Sequence, residues 1–289
     1  MFGSASIEEP EGIAVGPDGV IVVSDGTTNR VVEIAPDLTV TTLASDLPVD
    51  PAVLPDGGCS CDCVFEDRPE CSACFDLRNR FACFTDARSD LSDAGMAILC
   101  WPRGVAVDGL GTVYVADSVN NRIRAIAPDG GVATVAGNGQ AGGGDGSGLQ
   151  AEFFAPSGLA LDGSGHLFVT DPTRVRRLDL STDEVTTVAG DGQFGCRDGP
   201  GAVAEFHGAS GIAVDSAGNL FVADEGNAAI REISPDGEVT TIAGQGYVGY
   251  GQDGSAAVAT FSDPVGIAIG PDGTLYVADE VDGLRVIKR

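Results

Sequence analysis

Lysine occurs once in the 289 residues, at Lys288, and histidine twice, at His166 and His207. Schiff-base chemistry therefore has one terminal amine to draw on, and a three-histidine zinc site is out of reach within one chain. Basic residues are few: 16 Lys and Arg stand against 43 Asp and Glu, a formal net charge of −27 with an isoelectric point near 4.1. Nucleic-acid affinity rests on Lys and Arg releasing phosphate counterions, so RNA and DNA are excluded as partners. Anionic lipid is disfavoured on the same ground. No apolar stretch approaches the roughly 20 residues of a membrane helix; the run at Ala97–Trp101 is far shorter. The opening Met1-Phe2-Gly3-Ser4 lacks a basic region followed by an apolar one, so no signal peptide is visible. Helix signals are scarce throughout.

What is present is apolar side chain and glycine. Hydrophobic residues make up 43% of the chain, enough for a core and too many for global disorder. The 42 glycines and 15 prolines are spread at intervals, as expected for many short strands joined by tight turns.

The strands repeat. Gly12-Ile13-Ala14-Val15 followed by Val22-Val23-Ser24-Asp25 recurs at Gly104–Asp117, Gly158–Asp171, Gly211–Asp224 and Gly266–Asp279. From Asp117 onward the closing aspartates are 53 to 55 residues apart, whereas Asp25 precedes Asp117 by 92. A sixth, degenerate unit is expected in that wider interval, its trace being Ala52-Val53-Leu54-Pro55-Asp56-Gly57. Each unit reads as four strands with turns such as Pro17-Asp18-Gly19 and Pro235-Asp236-Gly237, where Pro presets φ and Gly accepts a positive one. A blade of this size cannot bury both faces alone, so blades must stack. The expected fold is all-β: one domain over residues 1–289, a six-bladed propeller of four-stranded antiparallel blades. A Cys-rich degenerate blade or insert falls at about 50–100. The last unit ends after Leu284-Arg285-Val286-Ile287, and Phe2 to Ile7 is expected to supply its fourth strand and close the ring.

The run Gly-Ile-Ala-Val-Asp, then Leu-Phe-Val-Ala-Asp, then Asn-Arg-Ile-Arg, then an Asp-Gly turn resembles the NHL-repeat β-propellers over most of residues 10–50 and 101–289. The Asn-Arg pair is clear at Asn29-Arg30 and Asn121-Arg122, altered at Thr173-Arg174, and lost around Asn227-Ala228-Ala229 and Asp282-Gly283. The resemblance implies fold and not function, because propellers host unrelated activities. Relatives that bind RNA do so through a basic face, and NHL-like lyases that cleave amidated-peptide precursors depend on histidine-rich metal sites. This chain has neither feature.

Strand direction alternates in a meander, which gathers Asp25, Asp117, Asp171, Asp224 and Asp279 on one side with the long connections 137–157, 190–210 and 244–265. Those five are candidate axial carboxylates for a hard cation such as Ca²⁺, or caps of their own turns. Asp145, Asp198 and Asp253, at matching places in the three loops, together with His207, mark the candidate ligand-binding face. Ser157 and Ser210 lie beside it, while His166 falls near a turn on the other side. The Gly-x-Gly pieces open no helix and precede no Lys-Ser/Thr, so they are not phosphate loops.

Eight cysteines are candidates for disulfides: Cys59, Cys61, Cys63, Cys71, Cys74, Cys83, Cys100 and Cys196. Seven crowd into 59–100, so full pairing requires one of them to bond Cys196, with Cys100 a suitable choice. The rival chemistry is a thiolate site for Zn²⁺ or Cu⁺, since Cys59-x-Cys61-x-Cys63 and Cys71-x-x-Cys74 have cluster spacing. The function expected is a non-enzymatic recognition module, monomeric and extracellular or periplasmic. It would bind a protein, peptide or glycan on its loop-rich acidic face. The alternative is a metal-dependent lyase or hydrolase with a divalent cation in the central funnel.

Overall fold

A computed structural model of the chain describes residues 7–45, 99–244, 251–255 and 258–288. The first unit shows how the repeat folds. β1 (Pro10–Val15) pairs antiparallel with β2 (Ile21–Asp25), Val15 opposite Ile21. Between them Gly19 takes φ 75°, which a side chain would resist, and Gly16 donates its N–H to the Val20 carbonyl at 2.8 Å. β3 (Arg30–Ile34) and β4 (Val40–Ser45) complete a four-stranded meander.

Blade two repeats the plan with β5 (Pro102–Val107), β6 (Val113–Asp117), β7 (Arg122–Ile126) and β8 (Val132–Ala136). Blade three holds β10 (Leu159–Leu161), β11 (His166–Asp171), β12 (Arg174–Asp179) and β13 (Glu184–Ala189), with β9 (Gly146–Ser147) added at its outer edge. Blade four holds β15 (Ala209–Val214), β16 (Leu220–Asp224), β17 (Ala229–Ile233) and β18 (Glu238–Gly244), with β14 (Gly199–Pro200) added in the same way. Among the described residues blade five has three strands, β19 (Pro264–Ile269), β20 (Leu275–Asp279) and β21 (Gly283–Ile287).

The described residues thus form five blades, not the six that repeat spacing predicts. The sixth unit was expected between the first two recognisable ones, yet β1 packs directly on β5. A Cβ on Gly12 would stand 2.5 Å from the Arg103 carbonyl and 3.1 Å from the Gly104 Cα, so nothing can be inserted there. The trace at 52–57 is a turn signature in the sequence, and a turn alone does not specify a sheet. That trace lies outside the described residues, as do Phe2 to Ser6 of the expected closing strand. Ile7 is described but belongs to no strand, and blade five gains no fourth strand from the chain's start among the described residues.

The core lies between blades. Val22 and Val31 meet Val105 and Val115; Tyr114 and Ile123 meet Leu159 and Val169. Val175 and Phe168 meet Ile212 and Val222; Ile230 meets Phe261 and Val277. Full burial of such a side chain contributes about 1.5–3 kcal/mol, so stability resides in the joins between sheets. The innermost strands approach backbone to backbone, and the glycine opening each one is what permits it. At Gly158 a Cβ would collide with the Ser210 carbonyl and sit 3.1 Å from the Ile212 nitrogen; at Gly211 it would lie 2.7 Å from the Val265 carbonyl. Gly266 ends the series, with only Ala278 of its own sheet nearby. Accordingly, Leu284 of blade five is 69% exposed, whereas Ile123 at the same place in blade two is fully buried.

Candidate binding face

The five strand-end aspartates are buried, and each is bonded inside its own blade. Asp25 accepts the Glu8 and Glu9 amides and pairs with Arg30 at 3.2 Å. Asp117 accepts the Cys100 amide (2.7 Å), Asn120 and Arg124 Nε (2.9 Å). Asp224 accepts the His207 amide (2.8 Å), Asn227 and Arg231 Nη1 (2.6 Å). Asp279 accepts four amides, from Ser262, Asp263, Val281 and Asp282. In four of the blades the carboxylate ties the chain running into the innermost strand to the turn after the second strand. Asp171 differs: its loop is only Pro172-Thr173, with no counterpart of Asn120, and its Oδ2 has no hydrogen-bond partner.

Burial pushes the carboxyls of Asp117 and Asp171 up. Arg124 opposes this at Asp117, and the Thr173 amide with Arg176 opposes it at Asp171. At Asp279 partial burial also acts upward but is outweighed by the amides of Asp282, Ser262, Asp263 and Val281, which hold the carboxyl below its ordinary value. A depressed folded-state value means that this group stabilises the fold above its unfolded value, about 3.9, and loses that contribution as acid titrates through the folded one. Asp279→Asn is therefore expected to be less stable than the native chain above about pH 5 and to converge with it below about pH 3. Urea melts across that range check this; a gap independent of pH would refute it.

The loop aspartates form a second repeated arrangement. Arg176 on β12 donates through Nη2 to Asp145 (2.7 Å) and the Gly144 carbonyl, and through Nη1 to the Glu152 carbonyl, while its guanidinium lies 5.2 Å from the Phe153 ring centroid. Arg231 does the same with Asp198 (2.8 Å), the Arg197 and Glu205 carbonyls and Phe206. Arg285 does so with Asp253 (2.9 Å), the Gln252 and Thr260 carbonyls and Phe261. Asp145 and Asp198 also accept both the amide and the hydroxyl of a threonine on the fourth strand, Thr187 and Thr241. Each long connection is thus clasped onto the following blade, and β9 and β14 are its edge pairings there. Composition and turn signals did not reveal this clasp. A usable signal was present: an Arg follows each loop Asp by 31 to 33 residues, at a fixed place in the third strand.

Aromatic groups stand on these clasped loops. Phe194 is 60% exposed and meets the exposed His207 edge to face, centroids 5.2 Å apart; Phe154, at the position matching His207 one blade earlier, is also exposed. The His207 imidazole hydrogen-bonds neither Ser157 nor Ser210 among the described residues; Ser157 is buried, and the Ser210 carbonyl accepts the Thr170 hydroxyl at 2.5 Å. His166 is apart from this face, its Nδ1 2.6 Å from Asp162 Oδ2. Towards the axis, Glu11 is crowded by Glu9 and by Glu280 of blade five. Burial and these like charges push its carboxyl up against the opposing pull of Arg103 and Trp101. Among the described residues no three His, Cys, Asp or Glu side chains cluster as a metal site would require. Cys196 is a free, exposed thiol, so the pairing with Cys100 is not made. The other six cysteines lie outside the described residues.

Comparison with known proteins agrees with this architecture. The NHL repeat pattern matches residues 99–126. The chain is 32% identical over 157 residues to SUPPRESSOR OF QUENCHING 1 of Arabidopsis thaliana, covering 49% of this chain and 15% of that protein. It is 35% identical over 145 residues to NHL repeat-containing protein 2 of Homo sapiens, covering 45% and 20%. The chain therefore spans a fifth or less of the length of these curated relatives. Among solved structures, an auxiliary nutrient binding protein from Bacteroides thetaiotaomicron superposes with a TM-score of 0.65 at 13% identity, covering 98% of this chain and 60% of the other. The nidogen/laminin complex gives 0.56 at 16%, covering 93% and 72%. A streptogramin B lyase gives 0.52 at 14%, covering 98% and 70%. At such identities these three share the fold alone. The chain thus carries an NHL repeat at residues 99–126, folds as a β-propeller, and is similar over about half its length to NHL repeat-containing proteins.

Proposed function

We propose that the chain is a non-enzymatic recognition module that binds a protein, peptide or glycan on the face carrying loops 137–157 and 190–210. The observation behind this reading is the Phe194–His207 pair: exposed aromatic surface on a loop that the Arg231–Asp198 clasp holds rigid. Aromatic anchors on pre-organised loops lose little conformational freedom on binding, which favours affinity per unit area. The net charge of −27 and the carboxylates of Glu9, Glu11 and Glu280 favour a partner with cationic groups. Both a nutrient-binding protein and a lyase are built on this fold, so the fold leaves the choice between binder and enzyme open. The exposed aromatic pair favours binding. The setting proposed is extracellular or periplasmic, with the chain acting as a monomer.

The test uses defined peptide and glycan arrays, probed with the native chain and with a Phe194→Ala/His207→Ala variant. Phe194 and His207 are exposed, so the variant keeps the fold. The variant is expected to lose at least tenfold in affinity for whatever the native chain captures. Equal capture by both, or no capture on either array, would overturn the reading.

A further inference from the structure

Three of the five blades open their third strand with an arginine: Arg30 on β3, Arg122 on β7 and Arg174 on β12, against Ala229 on β17 and Gly283 on β21. Arg30 pairs with Asp25 at 3.2 Å. Arg174 is placed differently. Its guanidinium passes between two long loops, each of which makes room with a glycine: a Cβ on Gly143 would stand 2.5 Å from its Cζ, and one on Gly192 2.6 Å. Its one hydrogen bond to a described residue runs from Nη1 to the Thr173 hydroxyl at 3.3 Å, and no described carboxylate oxygen lies within 4.0 Å. Asp171 attracts it without a hydrogen bond. Nε and Nη2 therefore keep their donors, and they are open to solvent, unlike the sealed Nε of Arg176 and Arg231. The amides of Gly143, Gly144 and Gly192 donate to no described residue either. In a chain with 43 acidic residues, Arg124, Arg176 and Arg231 each hold a carboxylate, so an arginine fixed in place without one stands apart. The next loop supplies a comparison. Cys196 holds the place of Gly143, and there the following blade opens its third strand with Ala229. Glycine accompanies the arginine, and a side chain returns where the arginine is gone.

We propose that Arg174, with the amides of Gly143, Gly144 and Gly192, is a binding site for a single carboxylate of a polypeptide ligand. The guanidinium fork matches a carboxylate bidentately. Main-chain amides in concave backbone add donors of the kind that hold anionic groups. The side chain is already fixed between two backbones, so little rotamer freedom is lost on binding. The net charge of −27 repels polyanions such as sulfated or uronate-rich glycans, whereas a polypeptide can present one isolated acid among neutral or basic residues. Phe194 follows Gly192 by two positions and is exposed, so the apolar part of the same ligand has aromatic surface at hand. The site rests on the recognition reading for its class of ligand and adds an anionic contact to it.

The probes are N-acetyl-leucine, which carries a terminal carboxylate, N-acetyl-glutamic acid α-amide, which carries a side-chain one, and N-acetyl-leucinamide, which carries none. Titrated into the full chain, at least one of the two acids is expected to bind saturably with Kd below about 10 mM, the range open to so small a ligand. It is expected to move the Arg174 Nε–H resonance and the amide resonances of Gly143 and Gly192; the tighter acid identifies the source of the carboxylate. The leucinamide is expected to bind at least tenfold more weakly. Arg174→Gln is expected to weaken the acid at least tenfold. Gly143→Ala keeps the charge and has a backbone that accepts a side chain, but its Cβ displaces the guanidinium, and at least threefold weaker binding is expected. Thermal melts check that both variants fold. No saturation by either acid, equal binding of the leucinamide, or native affinity in a folded Arg174→Gln would overturn the proposal. Glucuronate binding more tightly than both acids would assign the site to a glycan and refute a polypeptide carboxylate. Array capture that depends on Phe194 and His207, with no acid binding, sinks this site and leaves the recognition reading standing. Acid binding with no array capture does the reverse.

Discussion

Arg231→Met is expected to destabilise the chain by about 3–5 kcal/mol, because it removes one side of a buried ion pair and leaves the Asp224 carboxylate without its counter-charge. The loss extends beyond that pair. Arg231 also satisfies the Glu205 and Arg197 carbonyls and Asp198, and it stacks on Phe206, so the connection 190–210 is released from blade four at the same time. Methionine keeps the apolar stem and much of the volume, which limits the effect to charge and hydrogen bonds. A fall of roughly 10 °C in the thermal midpoint is the corresponding signal. Arg285→Met is the comparison. Asp253 stands in water and its pairing is that of a surface salt bridge, so about 1 kcal/mol or less is expected. If Asp224→Asn restores part of the stability of Arg231→Met, the cost is the orphaned charge; if the double variant merely adds the two losses, it is not. Equal costs at Arg231 and Arg285 would refute the assignment of the clasp in blade four as the buried one.

The second large effect concerns a single methyl group. Gly158→Ala is expected to cost about 3 kcal/mol, the upper end for overpacking, because the new Cβ meets the Ser210 carbonyl and the Ile212 nitrogen of the neighbouring blade. Both are backbone atoms, so no side chain can rotate away and the two blades must separate. Gly266→Ala adds the same methyl group at the same place in the repeat. There it meets only the Ala278 side chain at 3.3 Å, and a change within about 0.5 kcal/mol is expected. Chemical denaturation of the two variants side by side is the measurement. Similar losses at both positions would show that the glycine serves the strand's own backbone and not the approach between blades.

Much of this architecture could be read from residue order. The closing aspartates, the turn tripeptides and the alternation between them are local features, and they located the strands of all five blades. The closing aspartates themselves left two roles open, axial ligands or turn caps, and no spacing argument separates these. Their amide, Asn and Arg partners are contributed by residues up to 17 positions away. The three loop aspartates lie on the long connections between blades, but their arginine partners are 31 to 33 residues on, in the third strand of the following blade. The expected bond between Cys100 and Cys196 rested on counting, and counting does not bring two side chains together.

Sequence by itself determined the strand, the turn and the repeat, because each depends on neighbours within a few residues: backbone φ preferences, alternation of apolar side chains, and the scarcity of helix signals. Blade number among the described residues and the clasping of each loop onto the following sheet were decided only in three dimensions. Those features depend on how closely one backbone can approach another, and on whether a buried guanidinium finds its carboxylate across a join. Neither is encoded at short range, since two blades that touch through Gly12 and Gly104 are 92 residues apart in the chain.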